Sequence, residues 1–142
     1  MPQAQTETGR PIDHVALVVA DLRRSAALYE SLGFARRYHE TVADQGVEII
    51  GMRAGDSTIE LLRPLKPDSP LVAFLGDKES RLHHIAYRVA DIDDELARLR
   101  AQGTRLIDER PRRGAHGNLI AFIHPSAAGD VLIEVCQPGG AR

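Results

Sequence analysis

From residue 12 to residue 19 the chain reads IDHVALVV, an apolar run interrupted by Asp13 and His14. A short β-branched run followed by a polar turn predicts a strand. The period then changes. Leu22, Ala26, Tyr29 and Leu32 recur every three or four residues, which predicts one buried face of a helix. Asp21 stands where an N-cap belongs, its carboxylate able to accept from free backbone N–H groups. Gly33 stands at the other end, where a positive φ costs glycine little. Strand-like runs at 34–41, 47–53 and 59–64 complete a series of strand, helix and three strands.

The series then recurs. HHIAYRVADI at 83–92 repeats DHVALVVADL at 13–22, with identity at His14/His84, Ala16/Ala86, Val19/Val89, Ala20/Ala90 and Asp21/Asp91. Ile92, Leu96 and Leu99 form the second helical stripe, and Gly103 follows it seventy residues after Gly33 (103 − 33). IEVCQP at 133–138 matches IELLRP at 59–64, now at an offset of seventy-four (133 − 59), so the second copy carries four extra residues in its loops. Runs at 104–107 and 119–124 supply its remaining strands. The pattern predicts an α+β fold of two βαβββ modules, residues 12–63 and 82–137, joined by a linker at 64–81. The linker holds three prolines and a short apolar segment, enough for a helical turn. Residues 1–11 and 138–142 read as frayed tails.

Composition narrows the function classes. A net charge of −2 argues against nucleic acid or an anionic membrane as the main partner. Trp is absent and aromatics are few, so platforms for stacking bases are not expected. No apolar run approaches the ~20 residues of a membrane span, and the start, MPQAQTETGRP, has no signal-peptide core. The single cysteine, Cys136, forbids an intramolecular disulfide and suits a reducing, cytoplasmic setting.

The duplication also carries chemistry. Each module has a histidine at the start of its first strand and a glutamate in its last: His14 with Glu60, and His84 with Glu134. Pseudo-twofold pairing of the modules would bring all four together. Strand parity puts His14 with Ala16 and Val18, opposite Val15, Leu17 and Val19, and the second set reads as the better core face. Glu134, between Ile133 and Val135, likewise opposes an apolar face. A carboxylate there is costly unless it is paired or binds a cation. Two imidazoles and two carboxylates suit Zn2+, Co2+, Mn2+ or Ni2+ better than Ca2+. The bland alternative is four polar strand residues copied by duplication. His83 has the opposite parity to His84 and should face away, packed or hydrogen bonded. His39 and His124 have no partner spacing, and His116 lies in a basic loop, RRGAHG.

The paired DHVALVVADL/HHIAYRVADI stretches with their IELL and IEVC endings resemble the vicinal oxygen chelate superfamily. Within it, DQGVEI at 44, DSPLVAFL at 68, RRGAHG at 112, FIHP at 122 and GDVLIEVCQ at 129 resemble the methylmalonyl-CoA epimerases, in order over residues 12–137. That resemblance implies a cupped mixed sheet around a divalent metal held by His14, Glu60, His84 and Glu134. It further implies an acyl-CoA substrate and a homodimer. The activity implied is interconversion of (2R)- and (2S)-methylmalonyl-CoA through a metal-stabilised enolate, with Glu134, and secondarily Glu60, as acid-base groups. Gln45 is implied as a substrate or ligand-ordering contact, and Arg112 and Arg113 are candidates for the coenzyme phosphates. One departure stands out. Some such epimerases carry a glutamate base in a Gln-Gly-Val-x-Glu motif; here Glu48 comes one place early and Ile49 takes the position. A one-residue shift turns a strand side chain to the other face. A lactoylglutathione lyase would share the metal set, and a metal-free drug-binding module is the alternative outside catalysis. A ring-cleaving dioxygenase fits less well, because its facial triad has one carboxylate.

Overall fold

The computed structural model describes residues 9–139. The first module runs β1 (Ile12–Val19), α1 (Leu22–Ser31), β2 (Ala35–Val42), β3 (Val47–Ala54) and β4 (Ser57–Pro64). A short helix, α2 (Pro70–Leu75), lies in the connection. The second module runs β5 (Ser80–Arg88), α3 (Ile92–Ala101), β6 (Arg112–Arg113), β7 (Leu119–Ile123) and β8 (Ile133–Gln137). The caps act as their residues dictate. Asp21 accepts from the N–H of Arg24 at 3.0 Å and Asp91 from that of Asp94 at 3.1 Å. Gly33 and Gly103 end the two helices with φ of 102° and 82°.

All eight strands form one curled mixed sheet in the order β2-β3-β4-β1-β5-β8-β7-β6. Each module contributes four neighbours, and the modules meet through the antiparallel β1/β5 ladder. Within each, the first and last strands pair in parallel, β1 with β4 and β5 with β8. The helices cover one face. Leu22 and Ala26 of α1 pack with Val19, Ile50, Met52 and Leu61, while Ile92, Leu96 and Leu99 of α3 pack with Ala121, Ile123 and Val135. Each fully buried aliphatic side chain there contributes roughly 1.5–3 kcal/mol. The other, concave face is lined by Ala16, Val47, Ile49, Leu62, Ala86 and Ile120.

Several expectations are corrected. Residues 104–107 form no strand; only Leu106 bridges to Ile123. The reason is local: Phe122 donates its N–H to the Asp108 carboxylate at 2.8 Å, so a side chain takes a ladder position. Pairing resumes only after Pro111, in the two residues of β6. Leu32 caps α1 at 64% exposure and does not continue its buried stripe. β5 begins at Ser80, inside the stretch assigned to the linker. On β1 the His14 face is the more buried one: Ala16 and Val18 are fully enclosed, while Val15 and Leu17 are half-buried. The concave side is filled too, by Leu62, Ala115 and Leu71 packing over Ala16. Of the predicted tails, residues 1–8 and 140–142 lie outside the described residues, and Arg10 is tied to α3 through Glu95 at 2.9 Å. No helix among the described residues is long and apolar enough to cross a membrane.

Candidate active site

The β1/β5 register places Val15 opposite Ile85, His14 opposite Ala86, and Ala16 opposite His84. Each histidine therefore faces an alanine and lies diagonal to the other histidine. The two methyl groups leave space for the imidazoles to lean together, and their Nε2 atoms are 3.3 Å apart. The parallel ladders bring in the carboxylates by the same step. Glu60 stands beside Ala16 on β4, and Glu134 stands beside Ala86 on β8. Glu134 reaches both rings, Oε1 at 3.0 Å from His14 Nε2 and Oε2 at 3.3 Å from His84 Nε2. Glu60 Oε1 is 3.6 Å from His14 Nε2. All four predicted residues converge, and all four are buried.

Burial and charge then differentiate them. Desolvation disfavours the imidazolium of His14, but the Glu60 and Glu134 carboxylates outweigh it and hold His14 well above the ordinary histidine range. Burial, with repulsion from His14 and His83, holds His84 well below that range, so its ring is neutral with a lone pair to give. Burial pushes Glu134 up, only partly offset by the positive His14. Glu134 Oε1 makes no well-formed hydrogen bond among the described residues; its contact is the ion pair with His14 Nε2. A buried carboxylate is costly unless positive charge meets it, and here a single imidazolium serves two carboxylates.

Two contributing residues, Asp13 and Tyr38, escaped the sequence reading, and another, His83, was read but misplaced. Asp13 Oδ2 lies 2.7 Å from His14 Nδ1, and Arg88 Nε donates to Asp13 Oδ1 at 3.2 Å. This fixes the His14 tautomer so that Nε2 faces the site. The signal was the Asp-His dipeptide itself, set against His83-His84 in the second copy. His83, expected to face away, has its Nδ1 2.8 Å from His84 Nδ1 and lines the cavity; the hydrogen-bonding role was right and the direction wrong. Tyr38 is the other missed residue: its hydroxyl donates to Glu60 Oε2 at 2.5 Å. Burial, and then the Glu60 charge, push its phenol far above the ordinary range, so it remains a neutral donor.

A cavity of about 310 Å3 opens over the four residues. Val47, Ile49, Leu62, Leu71, Ile120 and Phe122 form its apolar walls. Gln45 and Arg112 line it, whereas Arg113 does not; the backbone carbonyl of Arg113 accepts from Gln45 Nε2 at 3.1 Å. Glu48 points away, bound to Arg63 Nη2 and His39 Nε2, each at 2.6 Å, while Ile49 takes the cavity side. The one-place shift in the motif thus has the consequence that strand parity dictates.

The donors fit a divalent cation. His14, His84 and Glu134 offer ligand atoms within 4.8 Å of one another, and Glu60 Oε1 stands at their edge. A cation would satisfy Oε1 of Glu134 and take a lone pair from each imidazole, His14 giving up its Nε2 proton as the ion binds.

Comparisons with known proteins place the chain in a family. The sequence profile of the glyoxalase/bleomycin resistance protein/dioxygenase superfamily matches residues 13–122. An uncharacterized protein of Bacillus subtilis, YqjC, is 40% identical over 130 residues, covering 91% of this chain and 93% of that one. The ethylmalonyl-CoA/methylmalonyl-CoA epimerase of Cereibacter sphaeroides is 36% identical over 129 residues, covering 89% of this chain and 96% of that protein. The crystal structure of methylmalonyl-CoA epimerase from Mycobacterium tuberculosis superposes with a TM-score of 0.85 at 37% identity, covering 92% of this chain and 89% of that one. With its duplicated modules, its single curled sheet and its paired His/Glu donors, the chain belongs to the glyoxalase/bleomycin resistance protein/dioxygenase superfamily, on the branch of the methylmalonyl-CoA epimerases.

Proposed function

We propose that the protein is an epimerase of methylmalonyl-CoA, exchanging the α-proton between the two faces of the thioester. The observation that carries this reading is Glu134: a carboxylate without a hydrogen bond on Oε1, buried at the floor of an apolar cavity beside two imidazoles. The cavity, about 310 Å3, is at the low end of small-molecule sites and suits a branched acyl head with its thioester. The names of the relatives supply the substrate class.

His14, Glu60, His84 and Glu134 would hold a divalent cation, with Co2+, Zn2+, Mn2+ and Ni2+ the ions their chemistry suits. When bound, the ion supplies Lewis-acid charge against which the enolate develops. Glu134, its basicity raised by burial, takes the α-proton on one face. Glu60 is the candidate for the other face. Gln45 and Arg112 are the polar contacts for the substrate carboxylate, and Arg113, outside the cavity, is left for the coenzyme phosphates. The walls around Ile49 and Phe122 keep bulk water from the enolate. The homodimer implied by the resemblance belongs to the same proposal, and sedimentation at micromolar concentration tests it.

The deciding experiment is deuterium wash-in at C2 of methylmalonyl-CoA in D2O. Glu134→Gln is expected to slow exchange about a thousand-fold, the scale of a lost general base, with its melting temperature preserved. Exchange at the wild-type rate in that variant removes Glu134 from the reaction. Full activity after exhaustive chelation rejects the Lewis-acid role. If the wild-type protein leaves the CoA thioester untouched but converts the methylglyoxal–glutathione adduct, the site belongs to a lactoylglutathione lyase instead.

A further inference from the structure

The two modules present their carboxylates by matching registers but surround them differently. On β7, Phe122 stands opposite Glu134. The matching place on β3, opposite Glu60, is Gly51. Gly51 is also the partner of Tyr38 on β2, so Tyr38, Gly51 and Glu60 form one row across three strands. The missing side chain is what lets the row work. A Cβ at Gly51 would meet the Tyr38 ring within 2.4–2.7 Å, so any larger residue would evict the ring. Tyr38 lies flat over the glycine, as aromatic side chains cover strand glycines, and its hydroxyl reaches Glu60 Oε2 at 2.5 Å.

The ring is also held from the second module. His116 stacks on Tyr38, with centroids 4.7 Å apart and planes 11° from parallel. His116 adopts a φ of 57°, unusual for a residue other than glycine, and its backbone N–H donates to Glu40 Oε1 at 2.5 Å. The 112–118 loop is thus fastened onto β2 beside Tyr38.

We infer that Tyr38 is a positioning residue: clamped between Gly51 and His116, it holds Oε2 of Glu60 and thereby presents Oε1 alone to the metal site. Glu134 has no such tether and meets the Phe122 wall instead. The duplication thus yields one carboxylate tethered by a phenol and one whose oxygens meet the two imidazoles. This rests on the metal reading given under the proposed function, and the test separates the two.

Cobalt binding is measured by titration, and its visible d–d absorption is recorded, for wild type, Tyr38→Phe, Glu60→Ala and the double variant, with circular dichroism as a check on the fold. Tyr38→Phe is expected to weaken cobalt binding roughly ten-fold, the scale of a lost outer-sphere hydrogen bond, and to shift the absorption. In the Glu60→Ala background the same change should alter affinity by less than about two-fold, because the two residues act as a unit. Wild-type affinity and spectrum in Tyr38→Phe overturn the inference and leave the metal reading standing. So does a ten-fold loss that persists undiminished without Glu60. A wild-type protein that takes up no cobalt overturns both.

Discussion

Asp13 shows how much of the site rests on residues behind the ligands. Its carboxylate is buried, shared between His14 Nδ1, Arg88 and the thiol of Cys136, whose Sγ is 3.4 Å from Oδ2. Asp13→Asn replaces an acceptor-only group with an amide that presents either end, loosening the tautomer and orientation of His14. Cobalt affinity, measured by competition with a chelator of known strength, is expected to fall between about ten-fold and a hundred-fold. Unchanged affinity would show that packing alone orients the ring. The four converging donors were legible because duplication printed them twice, at matching positions. Asp13 and Tyr38 were not, because each occurs in one module only. His83 fills the place of Asp13, and Phe122 closes the side where Gly51 opens a slot. Period-two parity also misled at His83, whose ring comes round to His84 despite being its sequence neighbour. The same parity served well at Glu48, which β3 holds between His39 of β2 and Arg63 of β4.

The helices differ more than their common stripes predict. α1 carries no acidic residue in its first turn, whereas α3 has Asp93, Asp94 and Glu95 there and Arg98 and Arg100 in its last. Charges so placed favour the helix dipole. Glu95 does more than that. Its buried carboxylate meets Arg98, Tyr87 and Arg10, the last tying the chain before β1 to the second module. The Arg98 hydrogen bonds, helped by Tyr87 and Arg10 against the cost of burial, hold Glu95 down to about 2. A carboxylate lowered on folding adds stability that is complete above its unfolded value, near 4.3, and is lost as pH falls towards 2. Glu95→Gln is therefore expected to cost about 2 kcal/mol at neutral pH, as for a hydrogen bond to a charged group, the half-exposed arginines limiting the loss. Its melting temperature should also fall less steeply than that of wild type between pH 5 and pH 2.5. Parallel curves for the two proteins would refute this assignment. Elements with an apolar period were readable in advance. The edge of the second module was not, because Asp108 and Pro111 break it by side-chain hydrogen bonding and by a missing donor, neither of which has a period.

At the scale of the molecule, the pseudo-twofold axis passes between Val15 and Ile85, and the site lies across it. His14 and Glu60 come from one module, His84 and Glu134 from the other, so an ion bound there would draw on both halves at once. Negative charge is crowded in the same place: two buried carboxylates share a positive His14. A cation that binds the folded chain and not the unfolded one must add stability by mass action, about 2.7 kcal/mol at a hundred-fold excess over Kd. For a chain of 142 residues that corresponds to a rise in Tm of roughly 5–10 °C. Calorimetry of the chelated protein against the same protein with cobalt measures it. Because the ion would bridge the modules, the rise should come as a shift of one cooperative transition. Removing a donor from either half, by His14→Ala or by Glu134→Ala, should abolish it equally. A gain that survives in one of these variants would mean that a single module holds the ion, and that the duplication serves the fold alone.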